Sequence, residues 1–264
     1  MNILEQILEV KQQEMANMHP YVDVVEPCDT MSLQYALSVP GISVIAEIKM
    51  KSPSEGNILP NADPVQIARD YQSAGAQAIS VLTDEQFFGG NIGILEAVKK
   101  AVSIPVLRKD FIINDHQIME AGAAGADAFL LIAEALDMDR IQSFIDFGKG
   151  LHLEALVEFH SQKNAEIVAD LAPDIVGVNC RNLKTMATDI GYFERMSSLL
   201  PDPSIKVAES GIHSRDDLQY VSDLGYDAVL VGTSLMKTRN PGNCLLYTSP
   251  SPRDLSTSRM PSSA

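Results

Sequence analysis

Six charged side chains stand near the ends of short apolar runs, where they could carry out proton transfer. They are Glu47, Lys49, Lys109, Glu158, Arg181 and Glu209. A charged group is costly to bury unless it is paired, and neighbouring lysines and glutamates shift one another's pKa values. Any one of them could be an exposed loop residue, but all six are not expected to reach strand ends by chance. The combination therefore predicts a site for general acid–base chemistry.

Two glycine-containing turns predict a phosphate site. The segment ESGI places Ser210 and Gly211 after one apolar run, and VGTSL places Gly232 and Thr233 after the next. Backbone N–H groups at such turns, together with the start of a short helix at Thr233, can hold a phosphate dianion. Ser52 in KSPSEG could add a hydroxyl donor, or it could belong to a simple Ser-Pro turn.

Other reactive residue types give no comparable pattern. The five histidines show no metal-ligand spacing, so we predict no metal site. Cys180 has no neighbour placed to activate it and is expected to be inert packing. In DEQFFGGN, Phe87 and Phe88 could form a hydrophobic wall over an aromatic ligand, or they could pack within their own loop.

The net charge limits the classes of partner. The 264 residues include 35 acidic and 20 basic ones, which gives a charge of −15 and a pI near 4.6. This balance argues against nucleic acid or an anionic membrane surface, and local positive groups would have to attract an anionic substrate. No apolar run is long enough to span a membrane, and the N-terminus lacks a signal pattern. Three scattered cysteines favour a reducing cytoplasm.

Short apolar runs alternate with helical patterns from residue 42 onward, which predicts parallel strands in βαβ units. The predicted strands are Ser43–Lys49, Ala78–Thr83, Pro105–Asp110, Ala128–Ile132, Leu153–Glu158, Ile175–Asn179, Ile205–Glu209 and Ala228–Val231. Capping residues predict helix starts at Asp63, Asn114 and Ser214. Residues two apart on a strand point the same way, so Glu47 and Lys49 share a face, which we assign to the interior mouth of a barrel.

A weak internal repeat favours a closed barrel over an open sheet. SAGAQAISVLT, AAGADAFLLIA and DLGYDAVLVGT share one pattern, with Gly75, Gly125 and Gly225 at equivalent positions. Each glycine suits the left-handed position that ends a helix before the next strand, and Pro173 stands at the expected fourth place. The period of 50 residues equals two βα units, so four quarters give eight strands.

Both ends of the chain depart from this alternation of predicted strands and helices. Residues 1–40 are predicted to be an extension that begins with an amphipathic helix over one end of the domain, because Leu4 and Ile7 stand at helical spacing. Residues 243–264 show no helical apolar face and resemble translated vector or adapter sequence; a genuine disordered tail is the alternative. We predict a single TIM-barrel domain over residues 1–242, without its last helix and with an apolar strip exposed on the eighth and first strands.

Several segments together resemble the indole-3-glycerol phosphate synthase family, over about residues 1–242. The segments are KQQEM, AEIKMKSPSEG, VLTDEQFFGGN, PVLRKDFIIN, EALVEFH, IVGVNCRNL, VAESGI and VLVGTSLM. AEIK-x-x-SPS and LRKDF are specific in combination, since the related phosphoribosylanthranilate isomerases share the phosphate loops without AEIK-x-x-SPS. The resemblance implies a carboxy-lyase of tryptophan biosynthesis that needs no metal or organic cofactor. Its reaction would convert 1-(2-carboxyphenylamino)-1-deoxyribulose 5-phosphate to indole-3-glycerol phosphate by ring closure, decarboxylation and dehydration.

The resemblance also implies residue roles. Lys109 matches the general acid that protonates the ribulose carbonyl oxygen, and Glu158 matches the carboxylate that assists dehydration. Lys49, held by Glu47, matches the lysine that steers the anthranilate carboxylate and could share the acid role, so the step served by each lysine stays open. The residues that match substrate-binding positions are Ser52, Phe88, Phe111, Asn179, Arg181, Glu209, Ser210, Gly211, Gly232 and Thr233.

The partner implied by the resemblance is a small phosphorylated substrate. Members of the family also occur fused to a following isomerase domain, so the chain could come from such a fusion or act beside other enzymes of the pathway. A phosphate-binding barrel without activity, or an inactive truncated product, is the alternative from a different class.

Overall fold

Eight parallel strands close into a barrel in the computed structural model of the chain. The structure describes residues 2–17, 30–59, 62–182 and 186–237. The strands are β1 (Ser43–Ile48), β2 (Lys51–Ser52), β3 (Gly56–Asn57), β4 (Ala78–Leu82), β5 (Val106–Lys109), β6 (Ala128–Ile132), β7 (Glu154–Phe159), β8 (Ile175–Asn179), β9 (Ile205–Glu209) and β10 (Ala228–Val231). The helices are α1 (Ile3–Asn17), α2 (Leu33–Leu37), α3 (Pro64–Ser73), α4 (Glu85–Phe88), α5 (Ile92–Lys99), α6 (Asp115–Ala123), α7 (Met138–Gly150), α8 (Gln162–Leu171), α9 (Tyr192–Ser197), α10 (Arg215–Asp223) and α11 (Thr233–Met236).

The closed strand order β1-β10-β9-β8-β7-β6-β5-β4 confirms the predicted TIM barrel. Every predicted barrel strand is present, and its ends differ from the prediction by no more than one residue. Lys49 and Thr83 fall outside the strands because the backbone turns into a loop where β1 and β4 end. The prediction lacks the short antiparallel hairpin of β2 and β3, which lies in the loop after β1.

Side chains on the strands alternate between the barrel interior and the helix layer. Toward the amino ends of the strands the barrel interior is apolar, and Ile45 on β1 and Leu107 on β5 are completely buried there. Two residues further along the same strands, Glu47 and Lys109 point to the same side. The barrel therefore has an apolar interior at its amino end and a charged layer at its carboxyl end.

Helix α2 closes the amino end of the barrel. Leu33 and Leu37 are completely buried against the apolar interior. The buried carboxylate of Asp127 fixes the preceding segment, because it accepts a hydrogen bond from Met31 N at 2.7 Å and pairs with Lys99 at 2.6 Å. This end of a TIM barrel serves stability, so this part of the extension has a structural role.

Helix α1 lies at the opposite, carboxyl end. Leu4 and Ile7 are buried, as their helical spacing predicts. Lys11 is buried as well, and its Nζ atom lies 3.1 Å from a carboxylate oxygen of Asp84 and 3.1 Å from one of Asp110. These two aspartates follow β4 and β5, so α1 covers one end of the barrel, as predicted, while α2 of the same extension closes the other end.

The predicted helix starts are present. Asp63 accepts a hydrogen bond from the second residue of α3, and Asn114 and Ser214 each form a capping box. The three glycines of the repeat all have positive φ. At the fourth place the left-handed position is taken by Ala172, with φ of 44°, one residue before the predicted breaker Pro173.

The predicted exposure of an apolar strip on β1 and β10 is wrong for the described residues. Val44 and Val229 are buried, and they belong to one cluster with Leu235 and Met236 of α11. The reason is that α3 and α11 both pack against β1. Residues 238–264 lie outside the described residues, and with them the predicted tail and the predicted lack of a last helix.

Candidate active site

All of the site residues predicted from the sequence line one pocket at the carboxyl mouth of the barrel. Glu47 extends from β1, Lys109 from β5 and Glu158 from β7. Strand β8 contributes Asn179, and β9 contributes Glu209. Because these five residues stand on strands, the barrel backbone fixes their positions. The other predicted residues enter the pocket from the segments that follow the strands.

The ammonium group of Lys109 lies between two carboxylates. Its Nζ atom is 2.9 Å from Oε2 of Glu158 and 3.0 Å from Oε2 of Glu209. Burial alone would lower the pKa of Lys109, but the surrounding carboxylates, Glu158 foremost, raise it well above its ordinary value. Lys109 therefore carries its proton before a ligand enters, as a general acid must.

The pKa values of Glu158 and Glu209 shift in opposite directions although both carboxyl groups contact Lys109. Asn179 Nδ2 donates a hydrogen bond to Glu158 Oε1 at 2.8 Å. Burial would raise the pKa of Glu158, but Lys109 and Asn179 lower it. Burial and the charge of Glu158 raise the pKa of Glu209 despite Lys109, and Glu209 Oε1 accepts no hydrogen bond from a described residue. The pair thus combines an ionised carboxylate with a carboxyl group that keeps its proton to higher pH.

A second ion pair stands beside the first. Lys49 Nζ lies 2.8 Å from Oε1 of Glu47, which confirms that the two side chains share a face. Glu47 is almost completely buried, whereas the Lys49 side chain is 15% exposed and borders the open pocket. Gly232 leaves space for this pair, since a Cβ atom there would lie 2.9 Å from the carboxyl carbon of Glu47.

Gly177 has a similar relation to Glu209, and the sequence prediction missed it. A Cβ atom at Gly177, in the middle of β8, would overlap Oε1 of Glu209 and lie 3.4 Å from its carboxyl carbon. A glycine inside a strand often marks a close approach by another group. The glycine in IVGVN was therefore an available signal, but the approaching group is known only once β8 and β9 are paired.

The two glycine-containing turns meet at one side of the pocket. Ser210 and Gly211 follow β9 with φ values of 70° and 71°. Gly232 follows β10, and α11 begins at the next residue, Thr233. The hydroxyl of Ser234 donates a hydrogen bond at 3.1 Å to a backbone carbonyl of the turn after β9, which joins the two turns. The predicted phosphate turns are therefore neighbours in space.

The position of Ser52 is compatible with both roles that the sequence leaves open, a turn residue and a donor to phosphate. Its hydroxyl accepts a hydrogen bond from Glu55 N at 3.2 Å, so it stabilises its own turn. It also lies 3.4 Å from the hydroxyl of Ser54, and both serines line the pocket.

Two aromatic side chains form one wall of the pocket. The ring centroids of Phe88 and Phe111 are 6.0 Å apart, with the planes inclined by 31°. Phe88 ends α4, and Phe111 follows β5. Phe87 is not among the residues that line the pocket, so the structure supports the wall interpretation for Phe88 alone of the FF pair.

Arg181 and Cys180 are neighbours with different surroundings. Arg181 lines the pocket and donates from Nη1 to the carbonyl oxygen of Met186 at 3.1 Å. Within the described part of the chain, no carboxylate forms an ion pair with Arg181. Burial raises the pKa of Cys180 to about 11, which favours the protonated thiol and agrees with the expected role in packing.

The sequence prediction also missed a buried charge network that adjoins the pocket. Arg108 Nη2 lies 2.7 Å from Glu120 and 3.2 Å from Asp110, and the hydroxyl of Thr83 donates to Asp110 at 2.6 Å. Arg108 precedes Lys109 on β5, so strand alternation places it on the opposite face, whereas Asp110 follows the end of β5 and also lines the pocket. That alternation was the available signal.

Two absences concern the described residues. None of their His, Cys, Asp and Glu side chains gather in groups of three or more that could hold a metal ion. No helix among them is long and apolar enough to cross a membrane.

The closed barrel and the lysine–carboxylate pairs at its carboxyl mouth define a TIM-barrel enzyme equipped for acid–base chemistry. The model of the family described as indole-3-glycerol phosphate synthase matches residues 4–245. The chain belongs to this family.

Similar curated proteins carry the same description. The indole-3-glycerol phosphate synthase of Streptomyces griseus is 47% identical over 206 residues, which cover 78% of this chain and 77% of that protein. The one of Mycolicibacterium gilvum is 42% identical over 249 residues, with 90% of each chain covered. Among solved structures, thiamine phosphate pyrophosphorylase from Pyrococcus furiosus has a TM-score of 0.59 at 15% identity and covers 82% of this chain and 96% of its own. That likeness shows the fold alone.

Proposed function

We propose that the chain converts 1-(2-carboxyphenylamino)-1-deoxyribulose 5-phosphate to indole-3-glycerol phosphate, with release of CO₂ and water. The observation that carries the proposal is the Lys109 ammonium group, held at 2.9 Å by Glu158 and at 3.0 Å by Glu209 at the barrel mouth. Membership of the synthase family supports it. Such a reaction makes the enzyme a carbon–carbon lyase of the carboxy-lyase class.

The phosphate of the substrate would bind at the turns that follow β9 and β10. Backbone N–H groups and the hydroxyls of Ser210 and Thr233 are suitable donors there, and Ser52 would add a third hydroxyl. Arg181 lines the pocket beside these turns, and its guanidinium group is a suitable donor to an anion. Because the chain has a net charge of −15, attraction of the substrate must come from such local groups.

The anthranilate part of the substrate would bind between Lys49 and the aromatic wall. Lys49 borders the open pocket and can meet the carboxylate of the substrate, while Glu47 keeps the ammonium group in place at 2.8 Å. Phe88 and Phe111 offer apolar surface to the benzene ring. Lys49 would hold the carboxylate of the substrate, and the two phenylalanines would hold its benzene ring. Together these contacts would orient the ring carbon that bears the carboxylate toward the ribulose carbonyl.

Ring closure would depend on Lys109. The ring carbon that carries the carboxylate attacks the ribulose carbonyl carbon, and negative charge develops on the carbonyl oxygen. A positioned ammonium group in a site of low dielectric stabilises that charge and donates the proton that turns the oxygen into a hydroxyl. Breaking the bond to the carboxylate then releases CO₂, and its electrons restore the aromatic ring.

Dehydration would follow with help from the two glutamates. The hydroxyl must leave as water, and a proton must be removed from the neighbouring CH₂ group to complete the indole double bond. The ionised carboxylate of Glu158 is a suitable base for this proton. Glu209 holds a proton to higher pH and borders the same ammonium group, so it is a suitable partner for the acid side of the step.

The test is to incubate the chain with the substrate and to follow indole fluorescence and CO₂ release together. The proposal requires the indole product and CO₂ to form in equal molar amounts. Binding of the substrate without either signal would instead indicate the non-catalytic barrel. We further propose that residues 1–242 contain the catalytic unit, so a chain that ends at residue 242 should retain the activity.

A further inference from the structure

Lys11 of helix α1 is a buried cation that the proposed chemistry does not use. The residue is 4% exposed, and its Nζ atom lies 3.1 Å from Asp84 Oδ2 and 3.1 Å from Asp110 Oδ1. Glu14, one turn further along α1, lies 2.9 Å from the same nitrogen. Lys11 does not line the pocket. It therefore joins the N-terminal helix to the segments after β4 and β5 without facing the substrate.

Asp84 depends on this cation, and Asp110 pairs with it as well as with Arg108. Asp84 is completely buried and Asp110 is 2% exposed, and buried carboxylates are costly unless a positive group compensates them. Asp84 Oδ2 accepts no hydrogen bond from the described residues, so the ammonium group of Lys11 is its compensating charge there. Burial would lower the pKa of Lys11, but Asp110, Glu14 and Asp84 raise it, so the lysine stays charged.

The same two carboxylates hold the backbone of the aromatic wall, Asp84 through the oxygen that does not face Lys11 and Asp110 through the oxygen that does. Asp84 Oδ1 accepts hydrogen bonds from Phe87 N at 2.7 Å and from Phe88 N at 3.2 Å, and so caps α4. Asp110 Oδ1 accepts a hydrogen bond from Phe111 N at 2.8 Å. The backbone at both wall residues is thus fixed by a carboxylate that Lys11 compensates.

We propose that Lys11 is a positioning residue that sets the Phe88–Phe111 wall from behind through Asp84 and Asp110. The consequence for substrate binding rests on the proposed function, in which this wall contacts the aromatic ring of the substrate. Without the ammonium group, two buried carboxylates repel each other, the cap of α4 loosens and the rings lose their fixed separation. The N-terminal helix thereby becomes part of the specificity for the aromatic end of the ligand.

Lys99 provides a matched control within the same chain. It also pairs its ammonium group with a completely buried carboxylate, that of Asp127, at 2.6 Å. Asp127 lies at the amino end of the barrel, where it binds Met31 N and Val106 N. Lys99→Met should therefore destabilise the fold without acting on the wall.

The first experiment compares Lys11→Met, Lys11→Arg and Lys99→Met with the parent chain. Lys11→Met should raise KM by about tenfold with a smaller change in kcat, as expected for loss of binding to a preformed surface. Lys11→Arg should recover part of the loss. Inhibition by inorganic phosphate should not change, whereas inhibition by anthranilate should weaken by about the same factor as KM rises. An unchanged KM in Lys11→Met, or an equal rise in Lys99→Met, would overturn the proposal.

The second experiment does not depend on catalysis. Amide hydrogen exchange at Phe87, Phe88 and Phe111 should become faster in Lys11→Met and stay unchanged in Lys99→Met. If the parent chain lacks synthase activity, the proposed function fails, but amide exchange still tests whether Lys11 positions the Phe88–Phe111 wall. If Lys11→Met does not fold, Asp84→Ala removes the α4 cap and leaves Lys11 paired with Asp110 and Glu14, and the same KM rise is expected. The proposal that Lys11 positions the aromatic wall would also be refuted by exchange at these amides in Lys11→Met that is as slow as in the parent chain. A normal KM in Asp84→Ala would refute it as well.

Discussion

A methyl group at Gly232 would overlap the carboxylate of Glu47, with its carbon 2.9 Å from the carboxyl carbon. The two residues are neighbours because Ala46 on β1 pairs with Val231 on β10. Glu47 in turn holds Lys49 at 2.8 Å. Gly232 therefore has a spatial role in the ion pair, in addition to the phosphate role that the sequence predicts for its backbone.

We expect Gly232→Ala to lower kcat/KM by roughly 10²-fold, because displacement of Glu47 by about 1 Å also moves Lys49. Gly150→Ala is the matched control, since a Cβ atom at Gly150 meets no atom within 4 Å. Steady-state kinetics on both variants will check this. Equal activity of the two would show that Glu47 can shift without consequence.

We expect Lys109→Ala to lower kcat by at least ~10²-fold with a smaller change in KM, because it removes the proposed proton donor for ring closure. Lys100→Ala removes a lysine that is 72% exposed at the end of α5 and should keep normal turnover. Single-turnover fluorescence separates the chemical step from substrate binding. Near-normal turnover in Lys109→Ala would remove Lys109 from the acid role.

The fold was predictable because its signals are local and periodic. Apolar runs, capping residues such as Asn114 and turn glycines such as Gly125 repeat along the chain, and each fixes an element without reference to distant residues. The hairpin of β2 and β3 was missed because two-residue strands carry no periodic signal. The burial of Val44 and Val229 was missed because it depends on how α3 and α11 pack against the barrel.

The site was predictable only in part. Strand alternation is sufficient to place Glu47, Lys109 and Glu158 at the mouth. It does not reveal that Gly177 makes space for Glu209, because that relation requires the β8–β9 pairing and an actual side-chain conformation. Nor does it reveal the role of Lys11, whose two buried partners Asp84 and Asp110 are more than 70 residues away along the chain.

Glu209→Gln should change how stability depends on pH. Burial and the charge of Glu158 raise the pKa of Glu209 in the folded chain, so folding favours its protonated form. As pH rises from the ordinary glutamate range through this raised pKa, the parent chain loses unfolding free energy. The glutamine variant retains it, because its side-chain amide has no proton to lose in this range. Urea denaturation of both chains across this range will measure the difference. A difference that is constant with pH would show that the pKa of Glu209 is not raised.

Arg108→Met should strongly destabilise the fold. Arg108 is 4% exposed, its guanidinium group pairs with Asp110 and Glu120, and it also donates to the carbonyl oxygen of Gln117 at 2.6 Å. Methionine fills similar space but leaves the buried Asp110 carboxylate with less compensation. The expected loss of unfolding free energy is about 3–5 kcal/mol, the range for breaking a buried ion pair by removing one partner.

The pH dependence of Arg108→Met provides a separate check. Burial would raise the pKa of Asp110, but Arg108, Lys11 and Thr83 lower it, so Asp110 stabilises the fold above its unfolded pKa and loses this effect as pH falls through its folded pKa. Without Arg108 the folded pKa rises, so acid unfolding should begin at higher pH. Arg195→Met is the control, because its ion pair with Asp189 is exposed and should contribute little. Equal acid unfolding curves for the two variants would mean that Lys11 and Thr83 suffice to keep Asp110 ionised.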